Sequence, residues 1–156
     1  MTPPGISVEQ LRLLLSQQQP VTVLDIRPFA EWSEWSVPGS LHLDAYEDLK
    51  AGRASTLDTT QLPADRTVVT VCGAGKTSQL AAERLQMRGI DARSLIGGME
   101  AWSLAWNEAE VPPLKDGTRV LQIRRTGKGC LSYLVGSNQE AAVIDAALEP
   151  EVYLAL

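Results

Sequence analysis

The chain has 156 residues, of which 44% are hydrophobic and 21% charged, and 14 basic against 19 acidic side chains leave a formal net charge of -5. That length gives one domain and a remainder, and the acidic balance argues against coating a nucleic-acid backbone, which needs clustered Lys and Arg. With no run of 18 apolar residues a membrane span is not expected, and "MTPPGISVEQ" lacks the basic and apolar regions of a secretory signal, so a cytoplasmic location is expected.

"GISVEQLRLLLSQQQ" reads as a helix: Ser7 and Gln10 form a capping box, and Leu11, Leu14 and Leu15 make one apolar stripe. "VTVLDI" (21–26) is a short β-branched strand, apolar enough to be buried on both faces. "PFAEWSEW" (28–35) reads as a short helix opened by Pro28, and "VPGSLHL" (37–43) as a turn into another strand. Residues 44–52 carry a further helical segment before a long loop. "TVVTV" (67–71) is a second buried strand, and the helix after it runs from Thr77 or Ser78 to near Gly89. "ARSLI" (92–96) is a strand, and "GGMEAWSLAW" (97–106) a turn and a final helix. Alternating strands and helices predict an α/β domain with a mainly parallel sheet.

The pattern then changes. "EVPPLKDG" (110–117) has the prolines and glycine of a linker. "TRVLQIRRT", "CLSYLVG" and "EAAVIDA" are three strand-like runs joined by "GKG" and "SNQ", a β-meander, and "LEPEVYLAL" starts another helix. Two domains follow, 1–112 and 113–156. The 43 residues after position 113 are too few for a self-sufficient core. Their strands are expected to pair with the first domain or with a second copy, since open sheet edges seek partners.

"VVTVCGAGKTS" (68–78) carries the chemistry. Its end, Gly75-Lys76-Thr77-Ser78, imitates a phosphate-binding P-loop, but that motif needs Gly five residues before Gly75, and Thr70 stands there inside a strand. Cys72 instead sits between a buried strand and a helix, followed by Gly73, Ala74 and Gly75. A loop of small residues can turn its N–H groups inward, and a helix N-terminus adds positive potential, so the cradle suits a thiolate and an anionic substrate. Lys76 contributes a cation, and Thr77 and Ser78 donors. Cys-based phosphatases grip phosphate with an Arg six residues after the Cys; here that residue is Ser78, which argues against a phosphatase. The second cysteine, Cys130, lies 58 positions on and forms no C-x-x-C pair, and His42 is the single histidine, too few for the usual catalytic metal site.

Four motifs in order resemble the rhodanese-like sulfurtransferases: "VLDIRPFAEW", the turn "VPGSLHL", the strand–loop–helix "VVTVCGAGKTSQLAAERLQMRGI" and "SLIGGMEAW". The resemblance covers about Ile6 to Val111. It implies a doubly wound, mainly parallel sheet with helices on both faces, followed here by the short C-terminal β-meander. It implies that Cys72 is the nucleophile, taking sulfane sulfur from a small anionic donor such as thiosulfate or from a persulfide. The sulfur is carried as a Cys72 persulfide and passed to a thiol or cyanide. Gly73, Ala74, Gly75, Lys76 and Thr77 would bind the anionic sulfur, and Asp25 and Arg27 would support the loop as a buried ion pair. Trp32, Trp35, Trp102 and His42 are expected to be structural. Where Trp35 stands, the family often has His. A non-catalytic docking module is the alternative.

"VLQIRRTGKGCLSYLVGSNQEAAVIDA" resembles the opening strands of the metallo-β-lactamase fold, with Asp145 ending a strand. It implies that 113–156 is the N-terminal fragment of such a domain, and Cys130 a packing residue in a strand. Any metal is expected only in the remainder of that domain, and no cofactor in this chain. A homodimer through the C-terminal strands is the expected assembly.

Overall fold

The computed structural model describes residues 5–112, 114 and 117–156. Pro113, Lys115 and Asp116 of the expected linker, and the first four residues of the chain, lie outside the described residues. The chain divides into two compact units, Met1–Trp102 and Ser103–Leu156.

In the first unit, strands β1 (Gly5–Ile6), β2 (Val21–Asp25), β3 (Leu41–His42), β4 (Thr67–Val71) and β5 (Ala92–Leu95) form one sheet in the order β1-β5-β4-β2-β3. Every pairing is parallel, with Asp25 opposite Val71 and Thr70 opposite Ser94. The helices are α1 (Val8–Ser16), α2 (Phe29–Glu34), α3 (Tyr46–Lys50), α4 (Thr77–Met87) and α5 (Gly98–Trp102), with a 3-10 turn at Thr56–Asp58. The α/β class with a parallel sheet flanked by helices is the one expected.

Local chemistry explains the boundaries. Ser7 Oγ accepts from the Gln10 N–H at 3.2 Å and Gln10 Oε1 from the Ser7 N–H at 3.0 Å, the capping box that starts α1. The end of α4 is closed by N–H groups of Gly89 and Ile90 on the carbonyls of Gln86 and Leu85. Leu24, Ile26, Val68, Ala81, Ala82, Leu85 and Ala92 are buried in one cluster with Cys72. Burial on both sides of the sheet is why β2 and β4 are mostly apolar and β-branched rather than alternating.

The second unit is an antiparallel meander, β6 (Asn107–Val111), β7 (Arg119–Arg125), β8 (Cys130–Ser137) and β9 (Glu140–Ile144), followed by α6 (Pro150–Leu154). Asn138 and Gln139 both have positive φ, the two-residue turn that matches strand twist, and they join β8 to β9. Two expectations need correction. The final helix of the first unit stops at Trp102, and 107–111 is a strand facing Val120–Arg124, because "NEAEV" alternates half-buried and exposed positions. Cys130 does not pack inside a strand: it is the exposed first residue of β8, next to the turn.

Candidate functional site

Cys72 follows the last residue of β4, at the carboxyl edge of the parallel sheet, where open α/β folds present ligands. Its residue is 2% exposed. Five residues later α4 begins, and the sulfur is held at that helix's N-terminus: the Ser78 N–H donates to Cys72 Sγ at 3.3 Å. The Cys72 thiol in turn donates to Ser78 Oγ at 3.3 Å. Ser78 Oγ lies 2.8 Å from Ser94 Oγ, and Ser94 Oγ donates to the Gly75 carbonyl at 3.5 Å. Thr70 Oγ1 donates to the Ser78 carbonyl at 2.7 Å, which ties the first turn of α4 back to β4.

The opposite side of the loop is closed by α5. The N–H groups of Met99 and Glu100 donate to the carbonyls of Cys72 and Gly73 at 2.9 and 3.0 Å. A planar trans peptide points its N–H away from its C=O. The N–H groups of Gly73 and Ala74 are therefore turned from α5. Among the described residues no backbone carbonyl accepts from the N–H groups of Gly73, Ala74, Gly75 or Lys76. Gly75 adopts φ +81, a left-handed conformation, and a Cβ there would stand 2.8 Å from the Gly97 nitrogen. Ala74 and Lys76 are exposed, whereas Gly75 and Thr77 are buried. Lys76 occupies the N-cap of α4, where its ammonium, a donor only, cannot cap the helix N–H groups.

Asp25 and Arg27 form the expected buried ion pair, with Arg27 Nη2 at 2.7 Å from Asp25 Oδ2 and the side chains 6% and 1% exposed. The guanidinium also donates to the Trp35 carbonyl at 2.7 Å and lies 3.5 Å from Glu31. The pair thus braces residues 28–36. Neither side chain hydrogen-bonds to residues 72–77 among the described residues; between them, the Ile26 N–H donates to the Val71 carbonyl, just before the loop, at 3.0 Å. His42 Nε2 is 2.8 Å from the Arg27 carbonyl, and its ring stacks on Trp32 with centroids 4.9 Å apart. Trp102 is buried, while Trp32 and Trp35 are half-buried.

Ser94 was not foreshadowed by spacing. The available signal was its place in a short strand, two residues after the buried Ala92 and beside the buried Leu95.

Residues 7–105 match the sequence profile of the family described as rhodanese-like domain. The chain belongs to that family. Among its relatives, the adenylyltransferase and sulfurtransferase MOCS3 of Drosophila persimilis is 33% identical over 93 residues, covering 56% of this chain and 20% of that protein. The tRNA sulfurtransferase of Desulfurococcus amylolyticus is 34% identical over 77 residues, covering 49% of this chain and 14% of that protein. The chain therefore spans a fifth or less of these two relatives. A solved rhodanese-like domain protein from Staphylococcus aureus superposes with a TM-score of 0.52 at 25% identity, over 64% of this chain and 90% of that one. The rhodanese-related protein of Thermoplasma volcanium, at 23% identity and a TM-score of 0.51 over 64% of this chain and 89% of that one, shares the fold. At the level of the family, the rhodanese-like domain here is related to sulfurtransferase domains. No helix among the described residues is long and apolar enough to cross a membrane.

Proposed function

We propose that this rhodanese-like domain transfers sulfane sulfur through Cys72. The observation that carries the reading is the sulfur's position: at the start of α4, it accepts the Ser78 N–H at 3.3 Å beside a loop whose amides at 73–76 meet no backbone carbonyl among the described residues. A helix N-terminus and such amides favour negative charge at that spot. In the first half-reaction the Cys72 thiolate attacks the outer sulfur of thiosulfate. The S–S bond of thiosulfate breaks and sulfite leaves with the bonding pair, so a Cys72 persulfide anion replaces the thiolate. In the second, a thiolate or cyanide attacks the outer sulfur, and Cys72 departs as thiolate. The amides of Gly73, Ala74, Gly75, Lys76 and Thr77 hold the anionic sulfur, and the Lys76 ammonium draws the anionic donor across the exposed side of the loop. An organic persulfide serves as donor by the same two displacements.

Intact mass after incubation with thiosulfate tests this. The wild type is expected to gain one sulfur atom and the Cys72→Ala protein none. Absence of the heavier species with thiosulfate and with an organic persulfide removes the enzyme reading in favour of a docking module.

The tail is read as the start of a metallo-β-lactamase-like domain, supported by its antiparallel meander and by Asp145 directly after β9. No step is assigned to a metal. His42 is engaged by the Arg27 carbonyl, and no group of three His, Cys, Asp or Glu among the described residues could hold one. Self-pairing through β9 is supported by its place at the end of the sheet with all five residues exposed. Light scattering that shows a monomer at all concentrations would end that reading.

A further inference from the structure

Cys72, Ser78 and Ser94 are 2%, 0% and 2% exposed, so charge on the sulfur must be met by protein groups. Two hydroxyls stand in line behind that sulfur, Ser78 Oγ at 3.3 Å and then Ser94 Oγ at 2.8 Å, and the line ends on the Gly75 carbonyl. They come from separate elements, α4 and β5, and Ser94 makes no contact of its own with the sulfur among the hydrogen bonds described. Each hydroxyl has one proton and can both donate and accept. With a thiol at Cys72, every donor in the line points away from the sulfur: S–H to Ser78, Ser78 to Ser94, Ser94 to Gly75. A thiolate has no proton to give and needs donors. Rotation of the two hydroxyl protons reverses the line, Ser94 to Ser78 and Ser78 to sulfur, with every heavy atom in place. Either oxygen of the serine pair can be the donor.

We propose that Ser78 and Ser94 form a reversible pair of hydroxyls that follows the charge on the Cys72 sulfur, which makes both of them positioning residues for sulfur transfer. The role in turnover rests on the sulfurtransferase reading; the pair itself acts in any reaction of the sulfur. When the thiol ionises, its proton goes to solvent and the hydroxyls keep theirs. The Ser78 hydroxyl then joins the Ser78 N–H in stabilising the thiolate, as attacking group in the first displacement and leaving group in the second. In the persulfide the charge moves to the outer sulfur and the inner sulfur needs less. The line therefore favours return of the thiolate over retention of the persulfide. Without Ser94, the Ser78 hydroxyl loses the donor that supports its reversed orientation.

The test uses the full chain in a Cys130→Ser background, so that Cys72 is the single thiol. Two rates are read at fixed pH: alkylation of Cys72 by iodoacetamide, in which an S–C bond forms and iodide leaves, and discharge of the Cys72 persulfide to cyanide as thiocyanate. Ser78→Ala is expected to slow both by roughly 10- to 100-fold, the weight of a hydrogen bond to a charged group. Ser94→Ala is expected to slow both by about 3- to 10-fold, the weight of an ordinary hydrogen bond, and to add nothing once Ser78 is Ala. A merely structural Ser94 would give an effect that persists in the Ser78→Ala background. Wild-type rates in Ser94→Ala, or independent effects of the two changes, overturn the proposal. Should Ser78→Ala fail to fold, Ser94→Ala against Ser94→Thr decides: recovery with the hydroxyl supports the pair, and equal loss overturns it. Normal alkylation effects without any persulfide remove the sulfurtransferase reading and leave the pair standing. Persulfide formation with unchanged rates in Ser94→Ala does the reverse.

Discussion

Gly98 is packed so tightly on the Cys72 loop that a Cβ on it would lie 2.6 Å from the Gly75 nitrogen and 2.7 Å from the Gly73 carbonyl oxygen. It also has φ +56, where a side chain is strained. Both neighbours are backbone atoms of the loop, and neither can swing aside as a side-chain tip would. Gly98→Ala is therefore expected to push α5 and the loop apart, breaking the bonds from Met99 and Glu100 to the loop carbonyls. The cost is about 2–4 kcal/mol, summing overpacking and backbone strain. Urea denaturation measures it, and persulfide loading of Cys72 is expected to fall in the same variant. Wild-type stability and loading would show that the close approach is without consequence.

Lys76 is exposed at the N-cap of α4, and no ion pair among the described residues uses its ammonium. A single solvent-exposed charge steers an anion more than it stabilises the transition state of a displacement at a buried sulfur. Lys76→Ala is expected to raise KM for thiosulfate about 3- to 10-fold with kcat nearly unchanged. The wild-type advantage should shrink as salt screens the exposed charge. A loss confined to kcat would instead place the ammonium on the sulfur that changes charge.

Removing the carboxylate at Asp25 leaves the buried Arg27 guanidinium without its anion, while Glu31 at 3.5 Å is half exposed and a weak substitute. Asp25→Ala is expected to cost about 3–5 kcal/mol, the penalty of an uncompensated buried charge. Asp25→Ala combined with Arg27→Met should be less destabilised than Asp25→Ala alone, because the orphaned charge is gone. Chemical denaturation of the three proteins decides. Additive losses would mean that the ion pair acts through packing alone.

The parallel sheet and the Cys72 loop were legible because their signals are local. β-branched runs, a capping box and small residues before a helix are read within ten positions of sequence. The pairing of Thr70 with Ser94 is not local, since it depends on the register of β4 against β5, and with it goes the hydroxyl line behind Cys72. Asn107–Val111 escaped for another reason: "NEAEV" carries two Glu and little β-branched content, so propensity argues for helix or linker, and pairing with Val120–Arg124 overrides it. For Asp25 and Arg27 the buried pair came from the resemblance of "VLDIRPFAEW" to the family motif, and its target was not legible. The guanidinium reaches Trp35 and Glu31, and among the described residues it makes no hydrogen bond to residues 72–77.

Tyr153 anchors α6 in the second unit. Its hydroxyl donates to Ser132 Oγ at 2.9 Å and accepts the N–H groups of Ala147 and Leu148 at 2.8 and 3.2 Å. Burial alone would push the phenol up, but the hydrogen bonds with Ser132 and the two amides, with the charge of Arg125, outweigh it and hold it below its ordinary value of 10.0. The folded state therefore releases the phenol proton at lower pH than the unfolded chain. Between the lowered folded value and the unfolded one, the unfolded chain binds more protons, so stability rises with pH there. The contribution is complete above the unfolded value and is lost as pH falls through the folded one. A phenol titrating below the usual tyrosine range should be visible in the 295 nm absorbance of the wild type and missing from Tyr153→Phe. At neutral pH the same substitution takes the hydroxyl acceptor from the Leu148 amide and leaves the Ala147 amide only its 3.3 Å bond to Ser132 Oγ, at an expected cost of about 1–3 kcal/mol. Equal pH dependence of unfolding in the two proteins would show that the Tyr153 site does not favour the phenolate.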